Sequence, residues 1–265
     1  TWEDESDIQD EDNDELKDLL DDSEADDSEL DEMIDDDIDE EVAYEENNAD
    51  TEEETVSTIS NAEDLDKKIE TPHEQVLSYI KLGDALRNDG RHKDAIQSFK
   101  KALKLRSGTF ELMARLGDTY RRNGQYKDAI YYLKRCYEIE PNNSFVLSNM
   151  AHCYSALHHY DFSENLYRMA LKRDPKNFST LSNLGECLRR HGKYVQATSV
   201  LKKALEQNPN RVSIYTSLAR CLSMQEKYKE AYDILATALE RNPNPKEKTY
   251  IQTRLKQLDL KYREL

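Results

Sequence analysis

Glycine, proline, cysteine and tryptophan are all scarce in this chain, at 7, 6, 4 and 1 of 265 residues. The first 70 residues hold no glycine although they carry 34 Asp and Glu. That excludes an EF-hand type of calcium loop, which needs a glycine turn inside fixed ligand spacing. No run approaches 18 apolar residues, and the sequence starts acidic rather than basic and then apolar, so neither a spanning helix nor a leader is written here. An upstream signal or anchor outside this sequence is left open. The four cysteines form no C-x-x-C pair and no His/Cys ligand spacing. With no disulfide framework, a reducing compartment is expected, cytoplasmic or nuclear. The motifs G-x-S-x-G, G-x-x-x-x-G-K-[ST] and H-E-x-x-H are missing, and the six histidines make no ligand set. The expectation is a protein that is not an enzyme and takes no cofactor and no metal.

Basic residues are also missing from one end. Residues 1–70 contain 3 Lys against 34 acids, whereas residues 71–265 contain 34 Lys or Arg and 21 acids, so the net of -18 joins segments of -31 and +13. Residues 1–58 bury too little apolar surface to offset chain entropy and read as a disordered acidic tail. Two clusters interrupt the acid at helical spacing, Leu16 with Leu19 and Leu20, and Leu30 with Met33 and Ile34. Each can close one apolar helical face on a partner, so these six are the candidate tail docking residues. Residues 59–75 form a lead-in, where Ser60 with Glu63 and Thr71 with Glu74 read as capping boxes and Pro72 as the first residue of a helix.

What the rest of the chain has is repetition. The repeat register spans residues 76–243 and is written as five units of 34 residues, 76–109, 110–143, 144–177, 178–211 and 212–245, the last closing two residues beyond its proline at 243. The second unit shows the register as Met113, Leu116, Gly117, Tyr120, Ala129, Leu133, Cys136 and Pro141. The fourth repeats it as Leu181, Leu184, Gly185, Leu188, Ala197, Leu201, Ala204 and Pro209. This period and spacing resemble the tetratricopeptide repeat family, with its W-x2-L-G-x2-Y, A-x3-F and P places. No unit has the family's tryptophan, Ser107 replaces the first proline, and the third unit has Ala151 and Ser163 where Gly and Ala are usual. The resemblance implies an all-α solenoid, a right-handed superhelix of helix pairs.

Within each unit, helix A carries the Leu-Gly/Ala places and helix B the later alanines. Gly90, Gly124 and Gly192 end helix A with a positive backbone dihedral in three units, and His158 and Glu226 stand there in the other two. His92, Tyr126, Tyr160, Tyr194 and Tyr228 follow and are expected to pack at the A/B corner. Cys153, Cys187 and Cys221 recur at the repeat period itself, as small buried residues would. Residues 246–265 form a basic helix whose stripe of Ile251, Leu255, Leu258, Tyr262 and Leu265 reads as a cap on the last open face. A dimer contact is the alternative use of that stripe.

The resemblance implies function through surfaces, with A helices lining a concave groove. The candidate partner-binding residues are Lys81, Arg87, Arg115, Arg121, Arg122, Asn149, His152, Asn183, Arg189, Arg190 and Arg220, a set of mainly positive character. Arginine gives planar, bidentate donation to carboxylates. Asn149 and Asn183 resemble two rungs of the asparagine ladders in some grooves of the family. The reading is a protein-protein interaction scaffold that takes an acidic or extended peptide segment. The tail, with a reach of about 45 Å, would serve as internal competitor or second docking segment. One alternative is a nucleic-acid-associated helical-repeat protein whose tail limits non-specific binding, though no base code recurs per repeat. The other is a subunit of a large multiprotein assembly.

Overall fold

The structure, a computed structural model, describes residues 71–106 and 109–263, with side chains described to residue 261. Those residues form eleven helices and no strand: α1 Pro72–Asn88, α2 His92–Leu105, α3 Phe110–Arg122, α4 Tyr126–Ile139, α5 Ser144–Ala156, α6 Tyr160–Arg173, α7 Phe178–Arg190, α8 Tyr194–Gln207, α9 Val212–Met224, α10 Tyr228–Leu239 and α11 Pro245–Arg263. Two compact units divide the chain at Leu116 and Gly117, inside α3. In the first, α1 packs on α2. In the second, α5 packs on α6, α7 on α8, α9 on α10, and each pair on the next, with α11 against α10.

The caps explain why helices start where they do. Thr71 Oγ1 accepts from the Glu74 amide while Glu74 Oε2 accepts from the Thr71 amide, so the expected box is formed, with Pro72 opening α1. Three asparagine caps were not anticipated. Asn143 Oδ1 accepts from the amides of Phe145 and Val146. Asn177 Oδ1 accepts from Thr180. Asn244 and Glu247 exchange amide bonds at the start of α11. Each satisfies donors that a helix start leaves orphaned.

The turns from A to B are alike in all five repeats. After α5, the His159 amide donates to Tyr154 O at 2.9 Å and His158 to Ser155 O at 3.2 Å; after α9, Lys227 donates to Leu222 O at 3.0 Å and Glu226 to Ser223 O at 3.1 Å. This double closure needs a left-handed residue at its corner. Glycine fills it three times, but His158 stands at φ 70° and Glu226 at φ 61°. A side chain there costs about 1–2 kcal/mol. Glu226→Gly is therefore expected to stabilise the chain by about 1 kcal/mol, read as a rise in urea midpoint. His158→Gly should gain less, because His158 Nδ1 is bonded to the Tyr160 hydroxyl at 2.7 Å.

Packing follows the repeat register. A Cβ on Gly185 would lie 2.5 Å from Leu201 Cδ2, so α7 and α8 approach too closely for any larger residue without movement. Leu133, Leu201 and Leu235, one per B helix, are buried beside Ala129, Ala197 and Ala231. Burial of each such leucine is worth about 1.5–3 kcal/mol. The departure in the third repeat has its reason: Ser163 Oγ donates to the Ala151 carbonyl at 2.7 Å and receives the Cys187 thiol at 3.3 Å. All four cysteines are free and buried, and burial pushes the Cys153 thiol up to about 12. Ile251 and Leu258 of the C-terminal stripe are buried, Ile251 completely, as a cap requires. The five corner aromatics are half-buried, and Tyr126 meets His152 on α5 while Tyr160 meets His191 just past the end of α7.

Candidate interaction face on the A helices

The arginines singled out from the sequence are largely committed to carboxylates. In the first unit, Asp84 takes Arg87 at 2.9 Å from one turn along α1 and Arg115 at 2.5 Å from α3, while Lys81 stays exposed. In the second, Asp118 accepts from Arg121 at 2.7 Å and from Arg122 at 2.8 Å. Glu186 is paired the same way, with Arg189 at 2.5 Å through one fork and Arg190 at 3.7 Å. A carboxylate followed three and four residues later by arginines makes these contacts within one helix. The surface therefore carries far less positive charge than seven free guanidiniums would give.

Asp118 lies beneath its two arginines, only 4% exposed. Burial alone would push its carboxyl up, but the hydrogen bonds and charges of Arg121 and Arg122 outweigh this and hold it below the usual range. One repeat on, His152 is also withdrawn. Burial, then the charges of Arg121 and Arg190, push its imidazole down to about 4 against the opposing pull of Asp118. The ring is neutral near pH 7 and adds no positive charge to this face. In an NMR titration its resonances are expected to move near pH 4, with no step between pH 6 and 8. Arg121→Gln should shift that midpoint upward.

His152 on α5 therefore lies within electrostatic reach of Arg121 on α3 and of Arg190 on α7. Ser148 and Thr180, whose hydroxyls meet at 2.9 Å, join α5 to α7. Asn149 is 9% exposed, and its Nδ2 has no hydrogen-bond partner among the described residues. Asn183, one period later on α7, is half-buried. Arg220 departs from the pattern. It is exposed on α9, where positions three and four away are Thr216, Ser217, Ser223 and Met224, so no carboxylate of its own helix reaches it. It lines a shallow cleft with residues of α10 and α11.

A second charged cluster lies at the α6 to α8 corner. Asp161, Glu164 and His191 offer ligand atoms within 4.8 Å of one another. Lys193 Nζ, at 3.0 Å from Asp161 and 2.9 Å from Glu164, holds the place between the carboxylates that a cation would take, and Arg168 also binds Glu164. This corner ties successive repeats together. Among the described residues no helix is long and apolar enough to cross a membrane. Leu16, Leu19, Leu20, Leu30, Met33 and Ile34, with the Ser60 box, lie outside the described residues.

Comparison with known proteins follows the same repeat. A tetratricopeptide repeat model matches residues 188–248, and a model described as the N-terminal TPR repeats region of Psidin matches residues 82–212. Among solved structures, a crystal structure of MamA protein is similar at TM-score 0.56 and 22% identity, over 64% of this chain and 92% of its own. A MamA double mutant is similar at TM-score 0.57 and 12% identity, over 63% and 94%. At such identities the likeness shows the fold. No curated protein is matched by sequence. The 34-residue register, the A/B pairs and both family models agree that residues 82–248 are tetratricopeptide repeats.

Proposed function

We propose that this chain is a non-enzymatic scaffold that binds an extended segment of a partner protein on its A-helix faces. The observation that carries the reading is a pair of polar registers on successive A helices, Asn149 and Asn183 at one place, and Asp118, His152, Glu186 and Arg220 at the place three residues on. Asn149, whose buried Nδ2 has no partner among the described residues, Asn183, and Arg220, with no acid on its own helix, are the members most able to take a ligand. An extended segment leaves its own amides and carbonyls open, and side-chain amides one repeat apart can bond them in succession. The acidic segment 1–58 is proposed to compete for the same basic groups.

The second class of partner, nucleic acid, is disfavoured. Affinity for a phosphate backbone depends on cations that remain free to displace counterions. Here Asp118 and Glu186 stand in the row itself and hold the neighbouring arginines.

The test is a peptide array probed with the full chain, followed by titration of the tightest peptide. Asn183→Ala is expected to weaken it about fivefold, the worth of one lost hydrogen bond near 1 kcal/mol. Removing the acid segment by Asp/Glu→Asn/Gln exchange over residues 1–58 should tighten it. Unchanged affinity in Asn183→Ala and in other A-helix variants would defeat the reading.

A further inference from the structure

The A-helix arginines separate into two kinds. Six of them serve carboxylates of the chain itself, on Asp84, Asp118 and Glu186. Arg220 occupies the place that Asp118, His152 and Glu186 hold in the preceding repeats of the second unit, and no acid faces it from its own helix. Across the cleft stands Arg254 of α11, whose Nη1 donates to the neutral Gln257 Oε1 at 2.9 Å.

Two hydroxyls of the cleft are already used as donors. Thr216 Oγ1 donates to the Ser213 carbonyl and Ser223 Oγ to the Ala219 carbonyl. Hydrogen-bond donation to a ligand therefore falls to the two guanidiniums and the Tyr250 hydroxyl, and charge to the guanidiniums alone. Leu235 and Leu258 close the floor, and the half-exposed Tyr250 ring stands at its side. Two planar forks above an apolar floor match a carboxylate carried on a short aliphatic stem, which the forks can grip in bidentate fashion.

Resting on the scaffold reading, we propose that Arg220 and Arg254 form an anchor for an acidic residue of the bound segment. The occupant is an Asp or Glu side chain, or a terminal carboxylate, of a partner protein. The rest of that segment runs over α7 and α5, where Glu186 and the neutral His152 do not favour further acid. A polyphosphate would meet Glu186 one repeat away from the anchor, so the chemistry fits a peptide with its acid at one end.

The experiment uses the full chain and two fluorescent ten-residue probes of Ser, Gly and Gln, one ending in Glu-Glu and the other in Gln-Gln with an amidated terminus. Polarisation is expected to show at least tenfold tighter binding of the acidic probe. Arg220→Gln and Arg254→Gln should each remove most of that preference, whereas Lys203→Gln, an exposed lysine on α8, should not. Arginine side-chain NMR of Arg220 and Arg254 should shift on titration with the acidic probe alone. Equal binding of both probes, weakened by Asn183→Ala but not by Arg220→Gln, would overturn the anchor and leave the scaffold standing. No saturation by either probe at millimolar concentration would overturn both. Displacement of the acidic probe by generic RNA at equal charge would assign the cleft to phosphate and also overturn the anchor.

Discussion

Tyr167→Ala is expected to lower stability by about 3–5 kcal/mol, the cost of deleting a large ring from a closed interior. Tyr167 on α6 is 1% exposed, and burial raises its phenol. Its hydroxyl lies within electrostatic reach of Cys153 on α5 and Cys187 on α7, so the ring belongs to two repeats at once. Ser163 and Ala170, four residues before and three after it on α6, are fully buried and too small to fill the space it would leave. In a stacked repeat protein, stability is close to a sum of repeat and neighbour terms, and this one residue contributes to both. Tyr167→Leu supplies the residue that Leu133, Leu201 and Leu235 are in other repeats, and should recover more than half of the loss. Urea midpoints of the two variants check both expectations. A loss under about 1 kcal/mol for the alanine variant would mean that the interior collapses around the gap.

The second large effect concerns Asp118→Ala, expected to cost about 3 kcal/mol near pH 7. The carboxylate is buried, and Arg121, with a side chain only 19% exposed, would lose its partner. Arg122 is half-exposed and can turn to water, which keeps the figure at the low end for a broken buried pair. The pH dependence has a definite sign. The folded carboxyl titrates below the ordinary aspartate value of 3.8, so its contribution is whole above that value and is lost as pH falls through the lower, folded one. The gap between the parent chain and the variant should therefore narrow in strong acid. His152 adds a separate slope. The unfolded imidazole takes a proton near 6.5 and the folded one near 4, so stability falls between those values even in the variant. Chemical denaturation at several pH values separates the two.

The architecture was legible because repetition multiplies a weak local signal. Leu184, Gly185, Leu188 and Ala197 suggest little alone, but the same places one period earlier and later carry the same kinds of residue. The glycines at 90, 124 and 192 marked the turns, and His158 and Glu226 were placed there by register even though their side chains disfavour it. The candidate face was harder to read. Asp118 and Glu186 stood in plain view three and four residues before their arginines, yet summing charge over the row hid that each pair is spent within its own helix. The lowered titration of His152 depends on burial and on the charges of Arg121 on α3 and Arg190 on α7, a tertiary fact with no trace in local sequence. Asn143, Asn177 and Asn244 were readable as caps, because each follows a proline by one or two positions.

One place in the second unit reads Asp118, His152, Glu186, Arg220 from repeat to repeat, on a backbone that otherwise copies itself. A scaffold of identical steps offers a ligand lying along it the same contacts at every step, so nothing fixes where the ligand starts. Unlike groups at that single place break the equivalence, so a segment shifted by one repeat would meet a different set of groups. The fold supplies the ruler, and these four residues supply its zero.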